Sequence, residues 1–179
     1  MRKVLFIFGE LTDFDVDWMI ATGAKKQVAE GTVLIHEGKP VDALFIVLDG
    51  LFSVSVAGLK TERIAQLVAG EIAGEMSFIE ARPPSATVRA ETAGVILSIP
   101  RAQLTAKLKQ DTGFAARFYR ALAIFLSFRL RHTVAQLGQK SGLPESDEAA
   151  DELDANILDN VFLAGARFDR MVRRLMGQP

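Results

Sequence analysis

With 179 residues, 49% of them hydrophobic and 24% charged, the chain is long enough to bury one substantial core with an appendage, and a single main domain is the default reading. Its 21 basic and 22 acidic residues leave a formal net charge of -1, so no global field draws it to nucleic acid or to an anionic membrane. The absence of cysteine excludes disulfides, thiolate zinc sites and cysteine nucleophiles.

The opening MRKVLFIFGE carries two basic residues and a short apolar run, Val4 to Phe8, which is too short for the core of a signal peptide. Ala121 to Leu126 falls far below the roughly 20 residues that span a bilayer. A cytoplasmic protein with no membrane span is the expectation. Thr12-Asp13-Phe14-Asp15 has the character of a helix start, because Thr12 can accept a backbone N–H and early carboxylates suit the positive helix end. Phe14, Trp18 and Met19 would share a face, and Gly23 would stop the helix.

From Gly31 the texture changes to short β-branched and aromatic runs, TVLIHEG, ALFIVLDG, LFSVSV, RIAQLV, ATVRAE and GVILSIP, punctuated by glycines. Asp49-Gly50 suits a tight turn. Many short strands at close spacing predict an antiparallel barrel or roll. Pro100 opens a helical region, and a second helix is expected from Asp111 or Gly113 to about Leu137. Its apolar residues, among them Phe114, Phe118, Leu122, Phe125 and Leu130, fill an arc of roughly 200°, wider than one partner requires.

Residues 138–154 hold six carboxylates with no base after Lys140, and read as a mobile acidic linker. A last helix, Ala155 to Met176, places Ile157, Val161, Phe168, Val172 and Leu175 on one face. Arg167, Arg170 and Arg174 lie opposite, with Arg173 beside them. The predicted organisation is therefore 1–137 for the main domain with its long helix, 138–154 for the linker and 155–179 for the amphipathic tail. The tail is expected to dock on the roll or the long helix, or to serve a protein partner.

Between these elements lies GEIAGEMSFIEARPPSATVRA, Gly70 to Ala90. A β-roll whose glycine-rich segment runs Gly-Glu, short helix, then Ser-Ala-Thr-Val resembles the cyclic-nucleotide-binding domain family, which includes catabolite activator proteins, protein kinase A regulatory subunits and cyclic-nucleotide-gated channels. The resemblance covers about Leu5 to Gln136 and includes Gly31, Gly38, Gly50, the Gly70-Glu71…Gly74-Glu75 pair and the long helix. It implies a mainly β fold with helices: an antiparallel double-stranded β-helix, or jelly-roll-like β-roll, flanked by an N-terminal helix and C-terminal helices.

The same resemblance makes this segment a phosphate-binding cassette, with Gly74, Glu75, Met76, Ser77, Arg82, Pro84, Ser85, Ala86 and Thr87 as the candidate ligand-binding residues for cAMP or cGMP. Gly74 lets the backbone approach a ligand, and the short helix after it offers N–H groups. Glu75 can accept a ribose hydroxyl proton. Ser85 and Ala86 can offer N–H groups to a phosphate oxygen. The slot that holds arginine in the family is Pro84, so binding is expected to be weak or lost. Arg82 stands two positions upstream. His132 and Thr133 fall where relatives cap the base.

The resemblance further implies a homodimer through residues 114–137. The expected role is a non-catalytic regulatory or sensor module, with a degenerate dimeric interaction scaffold that binds no nucleotide as the alternative. No cofactor, metal or DNA partner is expected. His36 and His132 are the only histidines, there is no Gly-Lys-Ser/Thr P-loop, and no recognition helix is expected in the roughly 40 residues of this sequence after Leu137.

Overall fold

The computed structural model describes residues 6–58, 64–80, 82–140 and 155–177, with backbone alone at residues 6, 132, 133, 135–140 and 155–161. Two short helices come first, α1 (Phe6–Glu10) and α2 (Asp13–Thr22). The start of α2 is a capping box, in which the Thr12 hydroxyl accepts the Asp15 N–H at 3.3 Å and the Asp15 carboxylate accepts the Thr12 N–H at 2.8 Å. Gly23 closes the helix, but in an extended conformation rather than a left-handed one. The expected shared face needs correcting. Phe14 is 86% exposed, and Val16, Met19 and half-buried Trp18 face the core instead.

Eight strands follow: β1 (Ala24–Val28), β2 (Val33–Ile35), β3 (Ala43–Asp49), β4 (Phe52–Ser55), β5 (Ala65–Leu67), β6 (Ile72–Ala73), β7 (Thr87–Ala90) and β8 (Gly94–Pro100). They form two four-stranded sheets, ordered β1-β8-β3-β6 and β2-β7-β4-β5, with antiparallel pairing throughout. This is the expected β-roll. The sequence reading missed β1 and β6. In β1, AKKQV, only Val28 is buried, as befits an edge strand, and β6 is just two residues long.

Strand β3 explains the two cores. Its alternating side chains serve opposite faces, so Ala43, Phe45 and Val47 point between the sheets, where they meet Phe52, Val54 and Val88. Leu44, Ile46 and Leu48 point outward to the helices, joined by Leu97 and Ile99 of β8. At the turn after β3, Gly50 has φ 98°, and any Cβ there would lie 2.8 Å from the Gly94 Cα, so two strands can pass only with glycine at that point.

Helix α3 (Met76–Ile79) interrupts the strands, while α4 (Arg101–Gln110) and α5 (Thr112–Lys140) follow them. Asp111 starts α5 by accepting the Phe114 N–H at 2.8 Å. Gly138 to Lys140 continue this helix, so they do not belong to the expected linker, whose remainder lies outside the described residues. On α5, Phe114, Phe118, Ala121, Leu122 and Phe125 are buried within this one chain. Buried Asp15 holds the helix by a bidentate pair with Arg117, at 2.7 and 2.9 Å.

Helix α6 (Ala155–Met176) has the expected bounds but docks elsewhere than expected. It packs on α1 and α2, of which α1 also rests on α5 and α2 on β8. Phe168 meets Phe8 with ring centroids 5.6 Å apart, and Ala164 and Met171 are buried, with Val172 and Leu175 packed at the margin. Ile157 and Val161 have side chains outside the described set. The arginines face acidic α2, with Arg167 on Asp13 at 2.7 Å and both Arg170 and Arg174 on Asp17 at 2.6 Å. Arg167 also donates to the carbonyls of Phe8 and Gly9, capping the end of α1.

Candidate functional site: the cavity beside α3

A cavity of about 210 Å³ opens between the segment 72–77, the tail 82–86 and one residue of α5. Gly74 shapes its floor. With φ 88°, and with the Ala43 carbonyl oxygen 2.8 Å from where a Cβ would sit, this position accommodates only glycine without displacement of β3. The chain then turns into the single turn of α3, where the Ser77 hydroxyl donates to the Gly74 carbonyl at 2.7 Å. Arg101 ties this turn to the roll. Its guanidinium donates to the Ser77 carbonyl and lies 5.2 Å from the Phe78 ring centroid.

Gly74, Glu75, Met76, Ser77, Arg82, Pro84, Ser85 and Ala86 all line the cavity. Sequence positions more than ten apart thus come to one wall. Thr87 begins β7, and its hydroxyl accepts the Glu37 N–H at 3.2 Å. One residue from that loop, Gly38 donates its N–H to the Pro84 carbonyl at 2.8 Å. Together these bonds hold the tail of the segment against the β2–β3 loop. Arg82 stands at the mouth, 81% exposed, with Glu80 at 3.8 Å. His132 and Thr133 lie on α5, but their side chains are outside the described residues.

Glu75 is the buried carboxylate of the site, 3% exposed. Its Oε1 accepts from Arg129 Nη1 at 3.4 Å, across 54 positions of sequence. The sequence reading missed Arg129. Its signal was faint: a basic residue one turn before Arg131 to Thr133 on a helix whose rotation against the roll was unknown. The aliphatic lining was missed as well, namely Ile35, Val41, Val54, Leu67 and Val88.

Burial pushes the Glu75 carboxyl above its ordinary range, and the Arg129 charge pulls it only part of the way back. An acid held high in the fold favours the folded state at low pH, and that contribution is lost as the pH rises through the folded value. At neutral pH, Glu75 therefore costs stability. Glu75→Gln is expected to be at least as stable as the native chain at pH 7, with the gap closing on acidification. Urea unfolding at both pH values checks this, and a neutral-pH loss above about 1 kcal/mol would show that the ion pair outweighs the desolvation.

Two stacked antiparallel sheets, a one-turn helix set into the strands and a long helix that contributes Arg129 to the cavity define the class as a β-roll. Residues 25–111 match the cyclic nucleotide-binding domain family, and this segment is a domain of that family. The chain is similar to a crystallised cyclic nucleotide-binding domain of Methylobacillus flagellatus, with 24% identity and a TM-score of 0.68, covering 81% of this chain and 85% of that one. The catabolite activator protein of Thermus thermophilus shares the fold at 20% identity and a TM-score of 0.60, over 97% of this chain and 87% of that one. A cyclic nucleotide-gated potassium channel of Mesorhizobium japonicum is 40% identical over 74 residues, which are 41% of this chain and 19% of the channel. The chain spans about a fifth of the length of the curated relatives it matches. Among the described residues, no helix is long and apolar enough to cross a membrane.

Proposed function

We propose that this chain is a non-catalytic regulatory module in which occupancy of the cavity beside α3 is read out by α5 and, through α1, by α6. The observation that carries the reading is the Glu75–Arg129 contact, because it ties the floor of the cavity to the helix that leaves the roll. A ligand hydroxyl that takes Glu75 competes with Arg129 and changes what holds α5 in place. Farther along, Arg120 of α5 pairs with Glu10 of α1 at 2.9 Å, and α1 packs against α6 as well. A ligand with different contacts in two positions of α5 would shift the population between them. Titration calorimetry with cAMP, cGMP, adenosine and guanosine on the native chain and on Glu75→Ala tests the reading, and equal heats from both proteins with all four ligands would remove it.

Homodimerisation belongs to the same proposal, but through a different stripe of α5 from the one its phenylalanines suggest. Phe118 and Phe125 are core residues of the single chain, so replacing them would unfold it rather than separate two copies. Tyr119, Leu130 and Val134 are exposed and, together with Ala123 and half-buried Leu126, follow one another at spacings of four, three, four and four, a stripe whose first three steps match a coiled-coil seam. Tyr119→Glu with Leu130→Glu is expected to give a folded monomer by light scattering. A native chain that is already monomeric at tens of micromolar would sink the dimer.

Specific DNA binding is expected to be absent. Arg167, Arg170 and Arg174 are engaged by Asp13 and Asp17, which leaves little free charge on α6 for phosphates. A mobility shift with sequence preference at physiological salt would overturn this. The second reading, a scaffold that binds no nucleotide, is favoured by one observation, Pro84 in the arginine slot.

A further inference from the structure

We propose that the cavity beside α3 selects an uncharged, hydroxyl-bearing ligand of the nucleoside class and discriminates against the cyclic phosphate anion. The inference rests on the reading of this cavity as the ligand site, and extends it to the chemistry of the ligand.

The charges that line the cavity among the described residues are Glu75, Glu80, Arg82 and Arg129, and they sum to zero. Their placement matters more than their sum. Arg129 is already set against Glu75, and Arg82 stands in water beside Glu80, where solvent screens whatever it could offer a buried group. Pro83 and Pro84 form the wall between Arg82 and Ser85, and neither has an N–H to donate. The Ser77 hydroxyl is spent on Gly74. Aliphatic side chains make up the back of the cavity.

A monoanion entering such a place gives up its hydration and finds no buried cation free to take it. Drawing Arg129 away would strand Glu75, a carboxylate at 3% exposure whose ionised form burial already disfavours. Drawing Arg82 inward would desolvate a side chain that is now in water. A neutral ligand meets neither difficulty. Its hydroxyls can donate to the Glu75 oxygens in charge-assisted bonds, and its flat apolar part can lie on the aliphatic wall. The size agrees, because about 210 Å³ lies below the roughly 300–1,000 Å³ usual for drug-sized ligands, and leaving out a phosphate reduces what must fit.

The test is calorimetric titration of the full chain with adenosine and guanosine against cAMP and cGMP, on the native protein, Glu75→Ala and Pro84→Arg. The native chain should bind one nucleoside about tenfold or more tightly than the corresponding cyclic nucleotide, with little dependence on salt. Glu75→Ala should lose that binding, and Pro84→Arg should reverse the preference. Cyclic nucleotide bound as tightly as nucleoside by the native chain would overturn the inference while leaving the cavity as a ligand site. Nucleoside binding that survives Glu75→Ala would place it elsewhere and overturn it too. Binding of neither class at millimolar concentration would overturn the inference together with the ligand-site reading beneath it.

Discussion

Replacing Pro84 with arginine is expected to strengthen cAMP or cGMP binding by roughly tenfold or more. The slot sits on the cavity wall, two residues beyond Arg82 and directly before Ser85, which lines the same space. A guanidinium there supplies two parallel donors to a phosphate, and a charge-assisted hydrogen bond contributes about 1.5–3 kcal/mol. The backbone can accept the change, because the Pro84 carbonyl accepts the Gly38 N–H and an arginine keeps that oxygen. The new N–H becomes a further donor. Calorimetry on the variant, with its fold checked by circular dichroism, gives the result. If a folded Pro84→Arg chain gained nothing, the wall at 82–86 would have to be shaped differently from a phosphate site.

Phe168→Ala is expected to release α6 from the rest of the protein without unfolding the roll. Phe168 is buried against Phe8, and deleting a buried aromatic side chain costs about 3–5 kcal/mol. Ala164 and Met171 remain, but they bury less, and the four ion pairs that Arg167, Arg170 and Arg174 make with Asp13 and Asp17 are at least partly exposed and contribute little each. Hydrogen exchange reads this directly. Amides of residues 162–172 should exchange more than about a hundredfold faster in the variant, which is the factor that 3 kcal/mol implies. Protection of β3 and β8 should not change, since Leu44, Ile46, Leu97 and Ile99 share one buried cluster with Leu104 of α4 and Phe114 and Phe118 of α5. Slow exchange across α6 in the variant would show that the ion pairs hold it alone.

Acid should act in the same direction as the mutation. The hydrogen bond from Arg167 holds the Asp13 carboxyl below its usual range. A carboxyl lowered in the fold contributes above its unfolded value and loses that contribution as the pH falls through the folded one, so α6 should loosen below about pH 4. Asp15, lowered by Arg117 and Thr12 against the opposing effect of its burial, adds a similar loss at the start of α5.

Several elements were legible in the chain because a local pattern was enough to specify them. The bounds of α6 follow from one dense apolar face, the start of α2 from Thr12 and Asp15, and β3 from an unbroken apolar run between turn residues. The cavity segment was legible through its resemblance to a family motif, Gly-Glu and a short helix followed by Ser-Ala-Thr-Val, and the structure adds why position 74 is glycine. Strand β1 was hidden because four of its five side chains are exposed and carry no period, so only pairing with β8 makes it a strand.

Tertiary structure alone decided what each pattern faces. The wide apolar arc of α5 divides into a buried half, with Phe114, Phe118 and Phe125 in the core, and an exposed stripe at Tyr119, Leu130 and Val134. A helical wheel marks apolar directions but cannot say where the neighbouring sheet lies. Arg129 reaches Glu75 only because α5 crosses the roll at one particular rotation, and α6 sits on α1 because Phe8 and the carbonyls beside it stand there to be covered. Sequence fixes periodicity and chemical type through local sterics. Which apolar face meets which, and which charges end up buried together, depends on packing between segments far apart in the chain, where no short-range rule reaches.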